Sequence, residues 1–388
     1  MIRRHDIAPG TGSAGECRRI GWGRAALCVS VLACLPVVNA AAETRHFAIS
    51  WFAQATYTND HDCSKGVHPE VEELYLRYAA KLGATPQQVA DWRKKLMEGE
   101  DAKDLYEIVM NRGRINGQPA NPYTHPASVM DLQMPGLDGK EGFGFDLDGK
   151  GPDQPGSFQD PETKERGVDH NLYRALGCTR AFRGSLESRP TYYAWAWGQL
   201  KDSQPAWLIT VEGADLSKNG PVTVAIERAY EYLRSNSDGS PRFDMAYRVD
   251  PDRRSRNHFK GEVRDGTVTI TEHGKLRLLQ NPLVAPELNL RNVHLRLDLK
   301  ADRSARGFIG GYQPWRPIYW GMAGVGFGGE QQVTGDIPGF YYLLKRYADA
   351  DPDPVTGQNE SISATYYLEA VPAFVQPPEP DAQQVTRR

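Results

Sequence analysis

Val293–Lys300 alternates without a break. Val293, Leu295, Leu297 and Leu299 fall on one side, His294, Arg296, Asp298 and Lys300 on the other. Only a strand repeats its side chains every two residues. One apolar and one charged face is the mark of an antiparallel sheet that is dry on one side. The pattern recurs at Ala206–Glu212 and at Val222, Val224 and Ile226. Phe259–Val263 and Thr267–Thr271 flank Asp265-Gly266, a hairpin signal. Arg306–Tyr312 returns after Asp302-Arg303-Ser304, and Phe47–Tyr57, Tyr192–Gln199 and Ser361–Val371 read as further strands. Strand and helix do not alternate regularly, which argues against a Rossmann or TIM architecture.

Helical spacing is confined to two stretches. Between Pro69 and Gly83, Val71, Leu74, Tyr75, Tyr78, Ala79 and Leu82 fall on one face. Thr85-Pro86-Gln87-Gln88 supplies a capping-box start for a second helix, with Val89, Trp92 and Leu96 as its apolar stripe and Gly99 as its stop. A third, about Ala102–Arg112, buries Leu105, Ile108 and Val109. Near the C-terminus Ile337–Ala348 is amphipathic and starts near Asp336 and Pro338. The expectation is an α+β fold, a small helical subdomain with an antiparallel β-sandwich or open-barrel body. Residues 43–190 would hold the helices and an acidic loop region, 191–375 the β-rich body and 376–388 a disordered tail.

The N-terminus carries an address. Arg18, Arg19 and Arg24 precede the apolar run Ala25–Val38, and Ala40, Ala41 and Ala42 follow. A basic region, an apolar core and small residues make a secretory signal over residues 1–42. Val31-Leu32-Ala33-Cys34 is lipobox-like, but the apolar run continues past Cys34, which argues against lipid attachment. No later stretch is long and apolar enough to span a bilayer. Beyond the leader only Cys63 and Cys178 remain, and a lone pair in an oxidising compartment is most simply one disulfide. The expected location is the periplasm or the extracellular face. A net charge of −3 gives no reason to expect nucleic acid as partner.

Gly142–Cys178 is where chemistry concentrates. Asp146, Asp148, Asp153, Asp160, Asp169 and Asn171 sit among glycines and prolines, so oxygen ligands lie on chain that can bend sharply. Calcium takes six to eight such oxygens. If Cys63 pairs with Cys178, Asp60 and Asp62 are drawn towards Asp169 and Asn171, joining two acidic loops. A second calcium-type loop places Asp349, Asp351 and Asp353 at positions 1, 3 and 5 and Glu360 at position 12. Pro354 there replaces the turn glycine, and a strand follows in place of a helix. Solvated surface acids are the plain alternative for both loops. His61, His68 and His170 offer a rival zinc or copper set if the disulfide gathers them. Trp315, Tyr319 and Trp320 are a candidate ligand surface, with core packing as the alternative.

No H-E-x-x-H, C-x-x-C-H or G-x-S-x-G occurs. The reading is therefore a calcium-stabilised binding protein of the periplasm or cell surface, taking a small molecule or polymer. The rivals are a calcium-dependent hydrolase of a polymer or ester outside the cytoplasm and an envelope structural component.

Overall fold

A computed structural model describes residues 42–154, 156–184, 189–200, 204–280 and 287–378. Residues 1–41, with the expected leader and Cys34, and residues 379–388 of the expected tail lie outside the described residues.

Eight strands form the body: β1 (Glu43–Gln54), β2 (Pro205–Gly213), β3 (Gly220–Tyr232), β4 (Arg256–Arg264), β5 (Thr267–Ile270), β6 (Glu287–Leu299), β7 (Ala305–Pro314) and β8 (Asn359–Gln376). Each is antiparallel to the next, and β8 pairs with β1, so the sheet closes on itself. The result is an up-and-down barrel, neither a sandwich nor an open one. Closure leaves none of the eight with a free edge along its whole length, which an open sheet of this size would have. Shorter strands at Met245–Arg248 and Ala350–Pro352 extend β8, and Lys275–Leu279 pairs with β6.

The inside is solid. Leu288, Leu290, Val293, Leu295 and Leu297 of β6 are all buried. A register shift between Arg291 and His294 keeps Leu290 and Val293 in phase although they are three positions apart. Phe52 stacks on Tyr366 at 4.8 Å and meets Trp207 edge-on at 5.1 Å. At the β4–β5 hairpin Asp265 and Gly266 both take positive φ, 50° and 80°, as a two-residue primed turn requires.

Two insertions leave the barrel from the same end, where β1 and β7 finish and β2 and β8 begin. The first, residues 55–204, contains α1 (Val71–Lys81), α2 (Pro86–Glu98), α3 (Lys103–Met110), α4 (Asn171–Leu176) and α5 (Thr191–Leu200). The second contains α6 (Trp315–Ala323), α7 (Gly326–Gln332) and α8 (Ile337–Tyr347). Thr85 caps α2 with the expected reciprocal pair to Gln88, and Gly99 ends it in the left-handed region. Helices α1–α3 share their own small core, against which Phe327 of α7 stacks on Tyr75 at 5.6 Å.

One expected strand is a helix. Tyr192–Gln199 lies in α5, because Tyr193 and Trp197, four apart, are both buried on one face. Its aromatic residues carry strand propensity, and burial at helical spacing overrides it. The last strand runs on to Gln376, beyond the expected strand end at Val371 and up to the residue where the tail is expected to begin.

Among the described residues no helix is long and apolar enough to cross a membrane.

Candidate functional site

Cys63 and Cys178 form a disulfide, with their Cα atoms 5.9 Å apart. It ties the first polar loop to the end of α4. The two acidic loops nevertheless stay separate. Asp62 is buried and ion-paired with Arg183, and its carbonyl accepts from the N–H groups of Asp138 and Gly139. Asp60 is exposed.

Within the glycine-rich segment three carboxylates converge. Asp146, Asp148 and Asp169 each offer an oxygen, all within 4.8 Å of one another. The backbone holds them. The Asp169 N–H donates to the Phe145 carbonyl at 2.8 Å, and Asp169 Oδ2 accepts from the N–H groups of Leu147 (2.9 Å) and Asp148 (3.3 Å). Asp146 accepts from the Gly149 N–H. From the bulge in β6, Asn292 Nδ2 donates to the Leu147 carbonyl at 2.7 Å and fastens the loop to the barrel. Gly167 explains itself: its φ is +90°, and a Cβ there would lie 2.5 Å from the Gly151 carbonyl carbon. Only glycine lets the two arms of the loop pass so closely.

Asp349, at the end of α8, faces the same group. It accepts from the Ser363 N–H and hydroxyl, both at 2.7 Å, and from Asn171 Nδ2 at 3.0 Å. Burial pushes the Asp169 carboxyl up to about 7, and the charges of Asp148 and Asp349 push the same way against its two backbone donors. Burial also raises Asp349, and it raises Tyr312, where the charges of all four aspartates add to it. Crowded carboxylates of this kind gain from a hard cation with oxygen ligands. Lys150 Nζ lies 2.9 Å from Asp148 Oδ2 and supplies part of that compensation from within the chain.

The remaining expected ligands lie elsewhere. Asp160 is fully buried and paired with Arg296. Asp153 closes a short turn, and its side chain is outside what the structure describes. In the C-terminal loop Asp351 pairs with Arg291, Glu360 with Arg316, and Asp353 accepts from the Val355 and Thr356 N–H groups. Of that loop, only Asp349 joins the cluster.

The histidines do not gather. His68 is buried between the Pro135 carbonyl and the Thr179 hydroxyl, His170 bonds the Phe143 carbonyl, and His61 is exposed. Of the aromatic trio, Trp315 and Tyr319 are each 1% exposed and bonded to the carbonyls of Asn359 and Tyr123. Trp320 alone stands at the surface.

A cleft of about 560 Å³ lies instead on the outer face of the barrel, in the range of small-molecule sites. Cross-strand register builds its floor. Arg296, Phe308, Tyr367 and Ala53 form one row, and Asp298, Arg306, Glu369 and Trp51 the next. Phe143, from the acidic loop segment, stacks on Phe308 at 4.7 Å and helps wall the cleft. Arg189 lies 4.0 Å over the Trp51 ring and donates to both Glu369 oxygens. The sequence hid this site because each strand shows only an ordinary polar face.

A buried charge cluster also escaped the sequence reading. Arg112, just after α3, pairs with Glu330 of α7 and Asp336 at the start of α8, and all three are essentially inaccessible. Tyr75 and Tyr123 donate to Glu330, and Tyr78 donates to Asp336. The cluster joins the two insertions.

In comparisons with protein families, curated proteins and solved structures, nothing matches the chain.

Proposed function

We propose that the chain is an exported binding protein of the periplasm or cell surface, stabilised by calcium, whose ligand enters the outer cleft. One observation carries the reading. The segment that brings Asp146, Asp148 and Asp169 together also delivers Phe143 to the cleft wall. Calcium on these carboxylates, with Asp349 beside them, would pin the long irregular chain before α4 and so fix that wall. Irregular stretches of this length carry function or need pinning. The disulfide and the leader-like N-terminus support export.

The hydrolase alternative draws less support. Among the described residues lining the cleft there is no His, Ser or Cys, so acid–base work would rest on Glu162 and Asp298, with Tyr367 beside them. Asp298 already accepts from Thr267 and Lys300.

Limited proteolysis tests the reading. The purified chain, treated with chelator, should be cut within residues 142–171, and added calcium should protect that segment. Cleavage indifferent to calcium would count against a pinning cation.

A further inference from the structure

We propose that the cleft takes an organic anion with a flat apolar body, its carboxylate or sulfonate held by Arg296 and Arg306 and its ring laid against Phe143 and Tyr367. This rests on the binding-protein reading above and adds the class of ligand.

Charge is left over in the cleft. The cleft is faced by three arginines and by two acids, Glu162 and Asp298. Most of these charges are satisfied. Arg189 is taken up by Glu369 and Trp51, and Asp298 by Lys300 and Thr267. Glu162 is exposed at the edge. Arg306 is different: among the described residues its side chain makes no hydrogen bond or ion pair, although it stands in register between Asp298 and Glu369. Arg296 is different too. Its side chain is only 16% exposed, and of its five N–H donors one reaches Asp160, at 2.9 Å. Its guanidinium lies 5.0 Å from the Phe308 ring centre. A nearly buried guanidinium with spare donors opening into a cleft is arranged for a planar anion, which it can bind through two parallel bonds.

The body of the ligand follows from the floor. Phe143 and Tyr367 stand half-buried at the cleft on either side of the buried Phe308, with ring centres 4.7 and 5.5 Å from it. Such a lining favours a flat ring over a bare inorganic anion. The volume of about 560 Å³ admits a molecule of two or three rings and excludes a folded peptide domain.

Two fluorescent probes of nearly equal shape separate charge from shape. 8-Anilinonaphthalene-1-sulfonate carries the anion, and N-phenyl-1-naphthylamine lacks it. Both would be titrated into the calcium-loaded full chain and into its Arg306→Ala and Arg306→Glu variants. The Arg306 side chain is exposed and unbonded, so Arg306→Ala should keep the parent melting temperature, whereas Arg306→Glu sets an acid between Asp298 and Glu369 and is read at temperatures where its own melting curve shows it folded. The sulfonate should bind saturably at one site, about 5-fold more weakly in Arg306→Ala and at least 10-fold more weakly in Arg306→Glu. The neutral probe should bind more weakly than the sulfonate and be indifferent to both changes. Sulfonate binding unaffected by Arg306→Glu overturns the proposal, because the probe is then elsewhere. Saturable binding of the neutral probe alone overturns the ligand class and leaves a binding protein standing. No saturable binding of either probe overturns both, while calcium-dependent melting of the same samples reports the cation site separately.

Discussion

Arg296 on the barrel donates to Asp160 in the acidic loop region at 2.9 Å, and Asp160 has no exposed surface. Asp160 also accepts from the N–H groups of Glu162 and Thr163, so the loop turns around this carboxylate. Its pKa is lowered: burial opposes ionisation, but those two donors and the Arg296 charge outweigh it. An aspartate read from sequence as a possible metal ligand is therefore the anchor that fixes the loop to the barrel.

Replacing Asp160 by Ala strands the Arg296 charge and frees the turn. Breaking a buried pair from one side costs about 3 kcal/mol or more. Urea unfolding should show that loss in Asp160→Ala, and a loss below 1 kcal/mol would mean the pair is not holding the loop.

Arg112 gives a prediction with a sign in pH. Burial raises the carboxyls of Glu330 and Asp336 above their ordinary values of 4.5 and 3.8, against the pull of Arg112. A carboxyl raised in the fold contributes stability below its unfolded value and loses it as pH rises through the folded value. Removing the cation raises both further. Arg112→Met should therefore cost about 3–5 kcal/mol near pH 8 and clearly less near pH 5. An equal loss at both values would contradict the account.

The bridge between Cys63 and Cys178 closes a loop of sequence separation 115. Chain entropy credits it with about 4–5 kcal/mol before strain. The Cys63→Ser/Cys178→Ser double variant should unfold at markedly lower urea than the parent. Because Asp146, Asp148 and Asp169 are held by backbone contacts of their own, that variant should still respond to calcium at temperatures where it is folded.

Much of the barrel was legible in the sequence because its signals are local. Asp265-Gly266 marks a hairpin wherever it falls between two alternating runs, and Val293–Leu297 shows its dry face residue by residue. Closure was not legible. It depends on Phe47–Gln54 meeting Tyr366–Pro372 across most of the chain, which no local pattern encodes. Tyr192–Gln199 misled because aromatic propensity spoke more loudly than the four-residue spacing of Tyr193 and Trp197. For the candidate cation site, glycine between aspartates pointed to Asp146, Asp148 and Asp169. The same logic over-reached at Asp351, Asp353 and Glu360, because an acid's partner is set by the strand beside it. Arg291 and Arg316 come from outside that loop and occupy Asp351 and Glu360. The cleft is the extreme case, since its residues belong to separate strands and share only a register.

The most direct test is the metal content of the purified protein, paired with its melting temperature before and after chelation. The account predicts close to one calcium per chain and a clear fall in melting temperature with chelator. That response should vanish in Asp169→Asn and persist in Asp353→Asn, whose carboxylate only closes its own turn. No bound calcium and no shift on chelation would contradict the central claim, leaving Asp146, Asp148 and Asp169 as acids compensated from within the chain.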